Sequence, residues 1–149
     1  MTTLFCEFQE LSVFQLYDLL KLRQDVFMIE QNCLYSDLDN SDQNAQHLLM
    51  YDRESLAAYL RFFAPGIKFR EASLGRIVVA PKYRGKTIGK DLIKAGIKLT
   101  LELYRGVDIR IEAQSALKEY YNSLGFIEEG EIYIADEIEH LQMVYKNIT

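Results

Sequence analysis

Between Ile77 and Leu103 the hydrophobic period of the chain changes from two to about 3.6, across a short basic turn. Ile77-Val78-Val79 is a β-favouring apolar run, and Pro81 ends it. From about Gly85 the residues Ile88, Leu92, Ala95, Gly96, Leu99 and Leu103 fall on one helical face, and Gly106 suits the position after the helix. Val107, Ile109, Ile111 and Ala113 then alternate with Asp108, Arg110 and Glu112, which is a strand. Strand, helix and strand in this order make a crossover unit, whose two strands pair in parallel with a right-handed connection. Any fold for this chain has to be built around that unit.

The remaining segments add antiparallel strands. Residues 3–8 alternate weakly. Ser12 and Gln15 have capping-box spacing, with Leu11 as staple residue, and open a helix to about Ile29 that turns Val13, Leu16, Tyr17, Leu20 and Phe27 inward. Residues 32–46 are polar and Asp/Asn-rich, a loop. Residues 47–51 and 56–63 flank Asp52-Arg53-Glu54-Ser55 as a hairpin, and residues 73–80 form a third strand. Leu117, Tyr120, Tyr121 and Leu124 mark a short helix ended by Gly125, before two last strands at 126–133 and 140–146. The order of elements is βα, three antiparallel-type strands, then βαβαββ. At 149 residues the chain reads as a single domain, 1–149.

Composition excludes several classes. Seventeen basic against 22 acidic residues give a net charge of −5, unlike a general nucleic-acid binder. There is no apolar run of membrane-spanning length and no basic, apolar leader in the first ten residues, so neither membrane insertion nor secretion is expected. Cys6 and Cys33 are far apart and outside any CxxC pair, which fits a reducing, cytoplasmic setting and argues against a disulfide scaffold or zinc cluster.

The turn after Val79 carries the strongest chemical signal. Arg84-Gly85-Lys86-Thr87-Ile88-Gly89-Lys90 opens a helix, where free backbone N–H groups and the helix dipole attract an anion and glycine admits a phosphate. The plain alternative is a tight connection with solvated lysines, and for Lys94 and Lys98 that alternative is the better one. Ala80 to Thr87 nearly fits the P-loop pattern, but Ala80 replaces the first glycine and no strand ending in Asp follows to hold Mg²⁺.

Arg84-Gly85-Lys86-Thr87-Ile88-Gly89 resembles the coenzyme A pyrophosphate motif R/Q-x-x-G-x-G/A of the GNAT acyltransferase superfamily, with Thr87 in place of the first glycine. Tyr121-Asn122-Ser123-Leu124-Gly125-Phe126 resembles the Y-x-x-x-G-F run that closes the family's last helix, and Gln114 stands where many members have Asn. Leu22-Arg23, Val26-Phe27, Glu30-Gln31, Cys33, Tyr35, Asp37, Asp39, His47, Gly75-Arg76 and Ile138 with His140 and Met143 are similar to the ElaA-like branch. The resemblance implies an α/β fold of GNAT type, a twisted, mostly antiparallel mixed sheet with one central parallel pair, flanked by helices. It also implies acetyl transfer from acetyl-CoA to a small-molecule or peptide amine, without a metal. Backbone groups of Ile77, Val78 and Val79 would hold the pantetheine, with Gln114 also at the cofactor. The turn Arg84, Gly85, Lys86, Thr87, Ile88, Gly89 and Lys90 would bind the pyrophosphate. Tyr121 would protonate the thiolate, and His140 is a candidate base. A non-catalytic acyl-CoA-binding module on the same fold is the alternative, and a homodimer is compatible with either.

Other residues have plainer readings. Tyr121 lies among apolar neighbours and could be a core tyrosine, with Tyr120 about 100° away around the helix. Asp37, Asp39 and Asp42 fail the EF-hand spacing and read as a solvated connector, or as a negative rim that steers a cationic amine. His47 and His140 are too few to argue for zinc. Nothing near Cys33 in sequence activates its thiol, so it reads as inert.

Overall fold

In the computed structural model, residues 1–148 are described. Seven strands form one sheet in the order β1-β2-β3-β4-β5-β7-β6: β1 (Thr2–Glu7), β2 (Gln46–Asp52), β3 (Ser55–Phe63), β4 (Ala72–Val79), β5 (Ile109–Gln114), β6 (Phe126–Ala135) and β7 (Ile138–Tyr145). Every neighbouring pair is antiparallel except β4 with β5. The expected α/β architecture and its central parallel pair are present. Helix α2 (Ile88–Leu103) is the crossover between β4 and β5.

That parallel pair is very short. Only Ala72 with Ile109 and Ser73 with Arg110 are in register, and beyond them the strands part. On its other edge β4 carries a bulge. Tyr59 faces Val78 but Arg61 faces Gly75, so two steps on β3 oppose three on β4. The extra residue falls at Arg76, whose φ of 48° is left-handed. A bulge bends and twists its strand, and this one turns the C-terminal half of β4 away from β5.

Strand alternation sends side chains to two cores. Leu48, Leu60, Leu74, Ile109, Ile111 and Met143 pack with α2 and with α3 (Lys118–Asn122). Leu49, Tyr51, Tyr59 and Val78 pack on the opposite face with Leu19, Leu22 and Val26 of α1 (Val13–Arg23) and its π-helical continuation Gln24–Glu30. The Ser12–Gln15 capping box forms as expected, with Gln15 N 3.0 Å from Ser12 Oγ. The buried stripe of α1 is not the expected one. Val13 and Tyr17 are 75% and 71% exposed, while Leu19, Leu22 and Arg23 are buried. The helix has apolar residues all round, so its periodicity did not select a face.

The burial of Arg23 explains the choice. Its guanidinium bonds Asp37 (Nε–Oδ2, 2.9 Å) and Asp42 (Nη1–Oδ1, 2.8 Å). The same Asp42 oxygen takes Nη1 of buried Arg61 at 2.8 Å, and Arg61 Nη2 reaches Asp39 at 2.6 Å. Arg76 Nε completes the cluster at 2.8 Å from Asp37 Oδ1. Three arginines and three aspartates thus neutralise one another. The acidic segment 37–42 is neither the solvated connector nor the amine-steering rim expected from sequence. Its charges are consumed by arginines from α1, β3 and β4, which a local reading cannot see.

His47 is buried beside this cluster. Its Nε2 lies 2.9 Å from the Asp42 carbonyl and its Nδ1 2.7 Å from the Tyr59 hydroxyl. A carbonyl only accepts, so Nε2 carries the proton and Nδ1 accepts from Tyr59. Burial pushes the imidazole below its ordinary value, with the Asp42 carbonyl opposing. The hydrogen bond from Arg61 holds Asp39 below the usual carboxylate range. Burial would raise Asp42, but Arg23 and Arg61 outweigh it and hold it low as well.

These shifts set an acid response. The unfolded His47 takes up its proton near pH 6.5 while the folded one resists. Stability is therefore full above about pH 7 and declines as pH falls below about 6.5. The Asp39 and Asp42 contributions persist until pH drops under about 4. Thermal melts should fall in these two stages, and His47→Gln should flatten the first. A wild-type Tm that does not move between pH 6.5 and 4.5 would contradict this account. Asp42→Asn leaves two buried guanidiniums short of charge, so urea unfolding should show a loss of about 3–5 kcal/mol.

Candidate active site

The turn between β4 and α2 is shaped by its own residues. Pro81–Tyr83 makes a 3₁₀ turn, and Gly85 adopts a left-handed φ of 78°, which favours glycine. Thr87 is the N-cap of α2 with φ −89°, a conformation open to any residue, so the family's glycine is not needed there. Its hydroxyl lies 3.0 Å from Asp91 Oδ2 and caps no backbone group. The first intrahelical bond is Asp91 N–H to Thr87 O at 2.8 Å. The amides of Ile88, Gly89 and Lys90 thus lie ahead of the ladder and face outward, an anion site in geometry and polarity.

Arg84 is engaged within the protein. Its Nε donates to Val79 O (3.1 Å) and its Nη1 to Glu30 (2.8 Å), tying the turn to the end of the π-helical segment. Both partners are about 40% exposed, so the pair contributes little stability. Gly89 has a packing reason as well. A Cβ there would stand 2.8 Å from the Tyr120 hydroxyl and 3.3 Å from Val79 Cγ2.

Where β4 and β5 separate, a cleft opens. Ala80 N–H donates to Ala57 O at 2.8 Å. Ladder alternation then sends Val78 N–H toward β3 and Val79 N–H toward the side β5 has vacated. Ile77 lines the cleft and Val79 packs against the core that includes α2, whereas the Val78 side chain is buried against α1. Across the gap, Gln114 on β5 pairs with His140 on β7, and Gln114 Nε2 lies 3.4 Å from Gln31 Oε1. A cavity of about 150 Å³ fills this space, walled by Phe27, Ile77, Ile111 and Ile138, with His140, Glu112, Arg76 and Asp136 among its polar lining.

His140 is held for one role. Its Nδ1 lies 2.8 Å from Ile138 O, which requires the proton on Nδ1 and leaves the Nε2 lone pair open. Tyr133 stacks on the ring at 5.9 Å and donates to Glu112 Oε2 at 2.7 Å. Cys33 also borders the cavity and donates to Asp136 O at 3.1 Å, so the thiol acts as a strut between segments.

The two tyrosines of α3 sit in different surroundings. Tyr121 packs edge-on to Tyr120 and Phe126 in the core, and burial raises its hydroxyl pKa. Among the described residues its hydroxyl has no hydrogen-bond partner. Tyr120 places its hydroxyl at Gly89, with Lys90 Nζ 5.9 Å from its ring. Sequence reasoning missed Tyr120, Glu112, Arg76 and Tyr133. Alternation along β5 was the available signal for Glu112, since it sets that residue opposite the core face.

A short parallel pair opened by a bulge, above a helix with bare amides, is the frame of an acyl-CoA acyltransferase. The chain belongs to the GNAT family: the model of the acetyltransferase (GNAT) domain matches residues 17–147. It is homologous to the protein ElaA of Escherichia coli, with 35% identity over 90% of this chain and 89% of the relative. It is likewise 35% identical to a UPF0039 protein of Synechocystis, over 93% and 91%. The crystal structure of Escherichia coli ElaA superposes with a TM-score of 0.91 at 32% identity, covering 97% of this chain and 99% of that one. An acyl-CoA N-acyltransferase from Pseudomonas aeruginosa gives a TM-score of 0.91 at 30% identity, covering 96% and 97%.

The α2 amides can be tested directly. Gly89→Glu would strike Tyr120, so Thr87→Glu is the cleaner probe, since Thr87 is exposed with an ordinary φ. A carboxylate there competes for the helix dipole and repels a phosphate, at about 1–2 kcal/mol. Calorimetry should show coenzyme A affinity falling roughly tenfold, with the melting curve little changed.

Proposed function

We propose that the protein moves an acetyl group from acetyl-CoA to a primary amine by direct attack in a ternary complex. The observation that carries this reading is the cleft itself. On one side stand the Val79 N–H and the bare α2 amides, and on the other the open Nε2 of His140. The turn from Arg84 to Lys90 binds the pyrophosphate through the Ile88, Gly89 and Lys90 amides, with the lysines supplying charge. Gly85 provides the bend, and Arg84 acts by bracing the turn. The Val79 N–H polarises the thioester carbonyl and meets the charge that grows on its oxygen. Gln114 holds the acyl group's surroundings from β5.

The amine arrives as ammonium and gives a proton to His140 Nε2. Its lone pair attacks the thioester carbon to give a tetrahedral adduct, and the carbon–sulfur bond breaks as Tyr121 protonates the departing thiolate. The extra proton on the new amide nitrogen returns to the Tyr121 phenolate, while His140 releases its proton to solvent. The unpartnered hydroxyl of Tyr121 and its raised pKa suit a neutral donor. Two free thiols support a reducing, cytoplasmic setting.

Thiol release with a panel of amines tests the transfer. Release that depends on the amine is expected, and binding of coenzyme A without release under any amine would favour the non-catalytic module. Tyr121→Phe should lower kcat at least about tenfold with acetyl-CoA affinity nearly unchanged. Tyr120→Phe should instead weaken acetyl-CoA binding, because its hydroxyl stands at Gly89. The reverse split would exchange the two roles.

A further inference from the structure

The cavity where β4 and β5 part has a charge pattern that the transfer reaction does not require. Its one guanidinium, Arg76, is already spent. Arg76 Nε lies 2.8 Å from Asp37 Oδ1, and Nη2 donates to Asp37 O at 3.0 Å and lies 3.4 Å from Asp39 Oδ2. The bulge fixes this orientation, so the wall offers a carboxylate no net positive charge.

Glu112 is in the opposite condition. Tyr133 holds its Oε2, while its Oε1 meets only Lys68, at 3.4 Å in a pair about one-third exposed on each side. Such a pair is weak and exchangeable. Asp136, exposed at the rim, adds a second negative group. Between these charges the walls are apolar, and cavities of about 150 Å³ take a molecule of roughly benzene size.

The register sets a distance. His140 pairs with Gln114, and Glu112 is two residues down β5 on the same face. Glu112 and His140 are therefore diagonal neighbours on adjacent strands, roughly 7–8 Å apart, a gap that about five methylene groups bridge. Glu112 is nearer the residues where β4 and β5 still pair, so it stands toward the closed end of the cleft and His140 toward the open end.

We propose that the acceptor is a short aliphatic diamine without a carboxylate, its distal ammonium held by Glu112 in place of Lys68 while its other amine meets His140. This rests on the acetyl-transfer reading. Glu112 is a specificity residue and takes no part in proton transfer or bond making.

The test compares 1,5-diaminopentane, pentylamine and 5-aminopentanoate as acceptors, which differ only at the far end. The wild type should favour the diamine over pentylamine by at least about tenfold in kcat/KM, chiefly through KM, with aminopentanoate poorest. Glu112→Gln should reduce the diamine preference to less than about threefold. Glu112 is partly exposed, so the variant should fold, and its melting curve verifies this. Asp136→Asn is a second probe, because Asn accepts the left-handed φ of 50° found there; it should raise KM for the diamine in the same direction. Better turnover of aminopentanoate, or a diamine preference untouched by Glu112→Gln, would overturn the proposal. So would acetylation of bulkier amines with none of these three, which leaves the transfer reading intact. Failure with every amine tried would remove the transfer reading, and this inference with it.

Discussion

The separation of β4 from β5 is the constraint on which the rest of the molecule depends. Only two residue pairs hold these strands in parallel, and the bulge at Arg76 sends the remainder of β4 on a different course. A continuous ladder would satisfy the Val79 N–H within the sheet and leave no space between the strands. The split instead leaves backbone polar groups facing a cleft, where a bound ligand can satisfy them. The cavity, the open edge of β4 and the approach to α2 all follow from that one irregularity.

A bulge with a left-handed arginine is costly by itself, and the buried ion cluster holds it in place. Arg76 is anchored by Asp37 and Asp39, which come from the same segment that binds Arg23 and Arg61. The cluster thus fastens α1, the 37–42 segment, β3 and β4 together behind the cleft. Buried charges of this kind are weak evidence for net stability. Their effect here is geometric, because each arginine fork admits few arrangements of its carboxylates.

Much of the frame was legible along the chain. The strand–turn–helix unit at 77–103, the hairpin around residues 53–54, the Ser12 cap and the polar-out alternation of β5 are local patterns, and each appears where the pattern put it. The buried face of α1 was not legible, because apolar residues surround the helix and only the position of Arg23 against Asp37 and Asp42 selects one side. The aspartates at 37, 39 and 42 looked like a solvated loop because their partners are 14 to 39 residues away. Tyr120 looked like a mere neighbour of Tyr121 because its proximity to Gly89 exists only in the folded chain.

The sequence by itself determined which segments are strands and helices and where the basic, glycine-containing start of α2 falls. Those depend on period, on turn residues and on caps, all of which act over a few positions. The tertiary structure alone decided that β4 leaves β5 after two pairs, that three aspartates are neutralised rather than displayed, and that Glu112, Gln114 and His140 share one cavity. Each of these requires contacts between residues distant in the chain, and the free energy of such contacts is set by packing and charge balance in three dimensions, which no local pattern encodes.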